Sequence, residues 1–137
     1  MSLTIIDDAF QAFASADPDR ISAVLTEDAE WLSPPGNAIA VALETTHHMI
    51  GRKAIVRFFA EELPRLFAHG LSVVPQGAHT DGERVTVEAA VSATLANGNH
   101  YANDYCFVFE LRDGLVHRAR EYVDTARGHR MVFGDAR

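Results

Sequence analysis

The sequence predicts an α+β fold in which helices cover one face of a curved antiparallel sheet. Residues 85–125 read as three strands joined by tight turns at Asn97-Gly98 and Asp113-Gly114, and such dipeptides are typical of β-hairpins. The preceding residues contain three segments with apolar side chains at helical spacing. Helices that precede a run of antiparallel strands are typical of α+β folds, in which they cover one face of the sheet.

The composition indicates one soluble globular domain. The chain has 137 residues, of which 47% are hydrophobic and 23% are charged, ordinary values for a domain with one core. The net charge of −7 disfavours a nucleic-acid partner. The sequence shows no secretory signal and no apolar run of membrane-spanning length, and its lone cysteine, Cys106, fits a reducing compartment. We therefore expect a cytoplasmic protein without membrane contact.

Each of the three predicted helices has its own start or stop signal. The first has apolar residues at helical spacing over residues 5–13, and the second begins with Asp17 as N-cap and Pro18 at the first helical position. The third begins at Gly51, and Pro64 kinks or ends it. All three helices lie in the N-terminal half of the chain.

The other segments read as strands and connections. Trp31 lies in a short strand, and the weakly patterned segment 37–44 is interpreted as a loop or a lid. Pro75 and Gly77 lie inside one strand, which indicates an edge position or a bulge. In chain order, the predicted strands span residues 29–33, 45–50, 71–80, 85–95, 101–111 and 115–125.

The turns predict which side chains share a face of the sheet. Two-residue turns place Arg112 opposite Leu115 and Ala96 opposite Asn99. The face that mixes aromatic with charged residues is then the one on which we expect a functional site. It comprises Glu88, Ser92, Asn103, Tyr105, Phe107, Phe109, Arg118, Arg120, Tyr122 and Asp124. The opposite face comprises Val85, Val87, Val91, Cys106, Val108, His117, Glu121 and Val123.

Four segments resemble the superfamily that includes nuclear transport factor 2, the ketosteroid isomerases and the SnoaL-like cyclases. They are residues 26–31, 51–59, 109–114 and 120–124. The resemblance covers nearly the whole chain and implies a single domain over residues 1–137, with a cone-shaped sheet and the helices on its concave face. It also implies that the helices close the face with aromatic and charged residues into a cavity, that a small molecule binds in this cone, and that the outer face of the sheet forms a homodimer. Because this superfamily holds isomerases, cyclases, dehydratases, epoxide hydrolases and members without chemistry, the fold leaves the reaction open.

The catalytic groups of the ketosteroid isomerases have no counterparts in this chain. By position, the general base of those enzymes falls at Ser33, the protonated carboxylic acid at about Phe107, and the oxyanion tyrosine near Ala9 or Phe10. None of the three functional groups is present, so we do not expect steroid isomerisation by that mechanism.

Glu88, Arg120 and Asp124 are the predicted catalytic residues. The register places Arg120 in one lateral row with Glu88 and two residues from Asp124, and a guanidinium between two carboxylates can orient a base and hold an oxyanion. The grouping loosely resembles the Asp-Arg-Asp set of limonene epoxide hydrolases. The alternative is that Glu88 and Arg120 form a structural ion pair that braces the sheet.

The predicted ligand-binding residues are Trp31, Asn103, Tyr105, Phe107 and Tyr122. Either tyrosine would be the hydrogen-bond donor, and the alternative role for the aromatic residues is packing of the core or of the pocket wall. His47 and His48 adjoin in a strand and so point to opposite faces, which is wrong for chelating one metal.

Two classes of function stay open at this point. No phosphate-binding loop or paired-cysteine motif occurs, and we expect no cofactor and no metal. The first class is a cofactor-free lyase, isomerase, cyclase or hydrolase that acts by acid–base chemistry on a small, mostly apolar molecule. The second is a non-catalytic ligand-binding or accessory dimerisation module.

Overall fold

The computed structural model describes residues 2–134 and shows five α-helices and six strands within them. In chain order the elements are α1 (Ser2–Ser15), α2 (Pro18–Ala23), β1 (Leu25–Leu32), α3 (Ala38–Leu43), β2 (His48–Ile50), α4 (Arg52–Arg57), β3 (Phe67–Asp81), β4 (Arg84–Leu95), β5 (His100–Arg112), β6 (Leu115–Val123) and α5 (Thr125–Phe133). The sheet order is β2-β1-β6-β5-β4-β3. Neighbouring strands are antiparallel except β1 and β6, which are parallel. The α+β class is confirmed.

The predicted helix signals act as expected. The Asp17 carboxylate accepts hydrogen bonds from the backbone N–H groups of Asp19 and Arg20, and Pro18 opens α2. Helix α4 continues into a π-helical turn, Phe58–Glu62, and then a 3₁₀ turn, Leu63–Arg65, in which Pro64 lies. None of the helices in residues 2–134 has the length and apolar character needed to cross a membrane.

The sheet edges also agree with the sequence. Strand β3 lies at one edge, and its pairing with β4 shifts between Pro75 and Gly77, where a bulge was predicted. The three-residue strand β2 forms the other edge.

Two helices were missed because they are short and have weak apolar patterns. The segment predicted as a loop or lid contains α3, whose N-cap Asn37 accepts a hydrogen bond from the Ala40 N–H over 3.0 Å. The last strand ends at Val123, and Asp124 caps α5 by accepting a hydrogen bond from the Arg127 N–H over 3.0 Å.

The predicted register between β4 and β5 is wrong by one residue. Glu88 lies opposite Cys106 rather than Phe107, because the connecting loop has three residues, with Leu95 hydrogen-bonded to Asn99. The N–H of Ala96 instead donates to the carbonyl of Leu66, which removes this residue from the hairpin ladder. Every side chain of β4 is therefore on the opposite face from the one predicted.

The register between β5 and β6 starts as predicted, with Arg112 opposite Leu115, and then shifts. Leu111 pairs with Val116 but Glu110 pairs with Arg118, so His117 is the additional residue of a β-bulge. Beyond the bulge, β6 is turned over and Phe107 lies opposite Glu121 instead of Arg120.

The core lies between the inner face of the sheet and the helices. Alternate residues of β4 and β5 are buried on this face, among them Val85 and Phe109, each with 0% exposure. Phe10 of α1 packs on this face, with its ring centroid 5.2 Å from that of Phe107 and 5.6 Å from that of Phe109. The edge-to-face arrangement of these rings is favourable for aromatic pairs.

Candidate functional site

A cavity of about 70 Å³ lies between the inner face of the sheet and the helices. One water needs roughly 10–15 Å³ of such space, so the cavity admits a small organic molecule or a few waters. Its walls are mainly apolar: Phe10, Phe13, Ala14, Trp31, Ile39, Ala40, Met49, Phe58, Phe59, Leu63, Phe67, Leu71, Val73, Val91 and Phe107. Its polar lining residues are Ser33, Asn37, Thr45, Thr46, Tyr105 and Glu121.

Glu121 is the only ionisable carboxylic acid among the described residues that line this cavity. Oε1 of its carboxylate accepts a hydrogen bond of 2.7 Å from the indole Nε1–H of Trp31. Burial raises the pKa of Glu121 to about 7, and the bond from Trp31 lowers it by a smaller amount. A carboxyl group with a pKa near neutrality can both accept and donate a proton at physiological pH.

Aromatic packing holds Trp31 in place for this hydrogen bond. Its ring meets Phe13 at 5.1 Å and Phe59 at 4.9 Å, both in edge-to-face geometry, and it is 3% exposed. Because its pairing with β6 sets Trp31 beside Ala119, the indole N–H reaches the next inward-facing residue of that strand, Glu121.

A chain of hydrogen bonds leads from Asn103, near the beginning of β5, to the cavity. The Oδ1 atom of Asn103 accepts from the Asp104 N–H, and its Nδ2 donates to the Asp124 carbonyl, so backbone groups fix the orientation of the amide. The same Nδ2 lies 3.4 Å from the hydroxyl of Tyr101, which in turn lies 2.8 Å from the hydroxyl of Tyr105.

The Tyr101 oxygen accepts in this chain, since Asn103 Nδ2 can only donate. A hydroxyl oxygen can accept twice, so either hydroxyl can be the donor in the bond between Tyr101 and Tyr105. When Tyr101 is the donor, the proton of Tyr105 is available to a group in the cavity, which Tyr105 lines. Burial raises the pKa of Tyr105 well above its usual value and also raises that of Tyr101, so both are neutral donors at pH 7.

Thr45 supplies a further polar atom at the cavity. Its Oγ1 is buried and has no hydrogen-bond partner within residues 2–134. By contrast, Ser33 and Asn37 are committed to each other and to backbone groups, since Asn37 Nδ2 donates to both Ser33 Oγ and the Pro34 carbonyl. An unpaired buried hydroxyl is costly.

Three of the five predicted ligand-binding residues line the cavity: Trp31, Tyr105 and Phe107. Asn103 is buried at 3% exposure but lies behind Tyr101, where it orders the hydrogen-bond chain. Tyr122, 53% exposed, lies on the outer face, where it pairs with Cys106.

The predicted catalytic grouping does not form in the cavity. Glu88 and Arg120 lie on the outer face because of the two register shifts, and Asp124 caps α5. No ion pair joins Glu88 to Arg120 among the described residues, so the alternative of a bracing ion pair is not formed either. Glu88 and Asp124 do border one open groove on the outer face, together with Tyr122.

Sequence reasoning missed Glu121, which it placed on the opposite face of the sheet. A bulge at His117 has no sequence signal comparable to a glycine or proline, although the imidazole is held by Thr26 at 3.3 Å and by Asp28 at 3.5 Å in the folded chain. The alternation of the strand would have identified Glu121 only if the bulge had been known.

The comparisons with known proteins identify the fold. The sequence model of the SnoaL-like domain family matches residues 6–119. A search of the curated proteins found no match.

Three similar solved structures are informative. An NTF2-like protein of unknown function from Burkholderia pseudomallei K96243 has a TM-score of 0.81 and 20% identity, over 96% of this chain and 97% of that chain. TerC, co-crystallised with polyporic acid, has a TM-score of 0.81 and 22% identity, over 96% and 97%. A protein of ketosteroid isomerase-like fold from Catenulispora acidiphila DSM 44928, in complex with trimethylamine, has a TM-score of 0.74 and 15% identity, over 93% and 91%. The resemblance indicated by the sequence is thereby confirmed at the level of fold.

Proposed function

We propose that this chain, which belongs to the SnoaL-like domain family, binds a small, mostly apolar organic molecule in the cone and performs cofactor-free acid–base chemistry on it. The observation that carries the proposal is Glu121, an isolated carboxyl group in an apolar cavity whose pKa burial raises to about 7. A strongly perturbed acid in a concave site is a physical signature of a functional group.

The neighbouring groups support specific roles. Glu121 is the proton acceptor, and the Trp31 N–H on its Oε1 orients the carboxylate. The Tyr105 hydroxyl, ordered by Tyr101, donates to an oxygen on which negative charge develops. Trp31 and Phe107 provide the apolar surface against which the molecule packs. Structural relatives that hold polyporic acid or trimethylamine support the idea that this fold accommodates small organic ligands.

A probe of general basicity tests the chemistry without knowledge of the natural substrate. The base-labile compound 5-nitrobenzisoxazole loses its C3 proton to a base while its N–O bond breaks, and it becomes a coloured 2-cyano-4-nitrophenolate. We expect turnover that rises with pH to a plateau, with a midpoint near the Glu121 pKa of about 7. Glu121→Gln should abolish it, whereas Glu88→Gln, which removes a carboxylate from the outer face, should leave it unchanged.

The results separate the two classes of function. Binding of the probe without turnover would support a non-catalytic ligand-binding protein. Turnover that survives in Glu121→Gln would contradict the assignment of the base.

A homodimer through the outer face of the sheet is part of the same proposal. It is supported by half-buried residues of the central strands on that face, such as Cys106 and Val108, and by the exposure of Tyr122 beside them.

A further inference from the structure

In the described part of the chain, the cavity lining contains an acidic side chain but no basic one. Glu121 lines the cavity, but no lysine, arginine or histidine does so among residues 2–134. The ion pairs of the described residues lie elsewhere, at Glu30–His48, Asp28–Arg112 and Asp28–His117. A buried carboxylate without a cation is costly unless it is protonated or meets a cation from outside the chain.

The aromatic rings that line the cavity also favour a positively charged ligand. Eight aromatic residues line it, with Trp31 and Phe107 among them. Ring faces attract organic cations, and the attraction increases when water is excluded. An anionic ligand would find no positive side chain here and would be repelled by Glu121.

Size and the charge of the whole chain point in the same direction. A cavity of about 70 Å³ fits a compact head group of a few heavy atoms, since one water already takes roughly 10–15 Å³. The net charge of −7 raises the local concentration of cations rather than of anions.

We propose that the ligand of this cavity is a small organic ammonium ion, with its nitrogen paired to the Glu121 carboxylate and its alkyl groups against the aromatic rings around Trp31. The inference rests on the proposed function, because it names the class of molecule that the same site takes. It also predicts coupling to protons, since only the ionised carboxylate pairs with the cation.

The titratable groups near Glu121 come from β5 and α5. Strand β5 presents Tyr101 and Tyr105, whose pKa values burial raises. Glu121 and Asp124, the N-cap of α5, both line a second small cavity, and Arg127 of α5 acts electrostatically on Tyr101. Strand β1 presents the uncharged Trp31, and helices α1 and α3 contribute only uncharged side chains to the lining.

Three probes that share one alkyl group test the charge preference: tert-butylammonium, the neutral tert-butanol and the anionic pivalate. Calorimetric titration at pH 8 should show tert-butylammonium binding at least tenfold more tightly than tert-butanol, and no binding of pivalate. From pH 6 to pH 8 the affinity for the ammonium ion should rise about tenfold, because the ionised fraction of a group with a pKa near 7 rises by that factor. The affinity for tert-butanol should not rise.

Two variants complete the test. Glu121→Gln keeps the shape of the side chain and should reduce the affinity for tert-butylammonium to that for tert-butanol, which should still bind. Glu88→Gln makes the same substitution on the outer face and should retain the preference.

Equal affinity of the wild-type protein for tert-butylammonium and tert-butanol would overturn the ammonium proposal, and so would a preference that survives in Glu121→Gln. In either case binding of tert-butanol together with turnover of 5-nitrobenzisoxazole would leave the proposed function standing. If none of the three probes binds and 5-nitrobenzisoxazole is not turned over, both proposals fail.

Discussion

At the scale of single residues, the environment of Glu121 decides its chemistry. The same side chain type at Glu88 lies exposed on the outer face, where water stabilises its charge. In the cone, water is replaced by rings and one indole N–H, so the charged form is disfavoured. The fold thereby turns an ordinary carboxyl group into one that exchanges protons near neutral pH.

The raised pKa of Glu121 predicts a pH-dependent stability. The usual pKa of a glutamate, 4.5, applies to the unfolded chain, whereas the pKa of Glu121 in the folded chain is about 7. Between these two pH values the folded chain therefore binds more protons than the unfolded chain. The contribution of this group to the unfolding free energy is therefore present below pH 4.5 and is lost as the pH rises through 7. The loss is about 3 kcal/mol.

Denaturant titrations of wild type and Glu121→Gln from pH 4.5 to pH 8 measure this effect. The unfolding free energy of Glu121→Gln, relative to that of the wild type, should rise by about 3 kcal/mol from the low to the high end of this range. Glu88→Gln controls for the loss of one carboxylate. A constant difference between wild type and Glu121→Gln at all pH values would contradict the raised pKa.

The hydrogen-bonded pair of Tyr101 and Tyr105 gives a second prediction. If Tyr105 donates to the developing oxyanion, Tyr105→Phe should lower the turnover of 5-nitrobenzisoxazole about tenfold, the equivalent of one hydrogen bond. The midpoint of the pH profile should stay near 7, because Glu121 is retained. Tyr101→Phe should have a smaller effect, because the Tyr105 hydroxyl remains. Tyr122→Phe, on the outer face, is the matched control, and an equal loss in this control would refute the role of Tyr105.

At the scale of elements, local signals predicted the elements well and their registration less well. The caps at Asp17 and the hairpin at Asp113-Gly114 act through neighbouring residues, so the sequence contains what is needed to predict them. The loop after β4 depends on a distant partner, since the N–H of Ala96 bonds to the Leu66 carbonyl. A contact of this kind is not visible in a local pattern.

The consequence for the site follows from the period of a strand. A shift of one residue exchanges the faces, so Tyr105 and Phe107 on β5 were placed correctly while Glu88 and Arg120 on its neighbours were not. Fold class, in contrast, depends on the number and type of elements, and it tolerates such errors.

Asp124 illustrates the difference between a catalytic residue and a capping residue. Its carboxylate accepts the Arg127 N–H over 3.0 Å and its carbonyl accepts from Asn103 Nδ2 over the same distance. We expect Asp124→Ala to lower the unfolding free energy by about 1 kcal/mol, the usual effect of losing an N-cap. Thermal unfolding checks this, with Asp17→Ala at the start of α2 as a matched capping variant.

A second measurement distinguishes a capping role of Asp124 from a catalytic one. Turnover of 5-nitrobenzisoxazole by folded Asp124→Ala should retain its pH midpoint, since the base is Glu121. A variant of full stability that loses turnover would instead indicate that Asp124 acts directly in the reaction.

At the scale of the whole molecule, the sheet has two faces with different tasks. The inner face holds the core and the cavity, whereas the outer face keeps partly exposed residues such as Val74 and Tyr122, each 53% exposed. Val87 and Val91, which the predicted register placed on the outer face, are in fact buried on the inner face. The expectation of a dimer now depends on the residues that replace them.

Those residues include Arg120, whose side chain lacks a hydrogen-bond partner at one nitrogen in the described part of the chain. The Nε atom of Arg120 is buried and has no hydrogen-bond partner within residues 2–134, and Glu88 lies two strands away on the same face. In a two-fold dimer each copy presents the same patch to the other, so a carboxylate of one copy can meet the guanidinium of its partner. A dimer of this kind would give the Arg120 guanidinium of each copy a partner.

Light scattering tests this arrangement. We expect the wild type to have about twice the chain mass of 15.0 kDa at micromolar concentration. Tyr122→Glu should shift it to the monomer, because it adds a charge in the row of Glu88 and Cys106. Leu3→Glu changes a residue of α1 that is 46% exposed and should leave the mass unchanged. A wild type of monomeric mass would contradict the dimer, and a monomeric Tyr122→Glu that still turns over 5-nitrobenzisoxazole would show that each cone works alone.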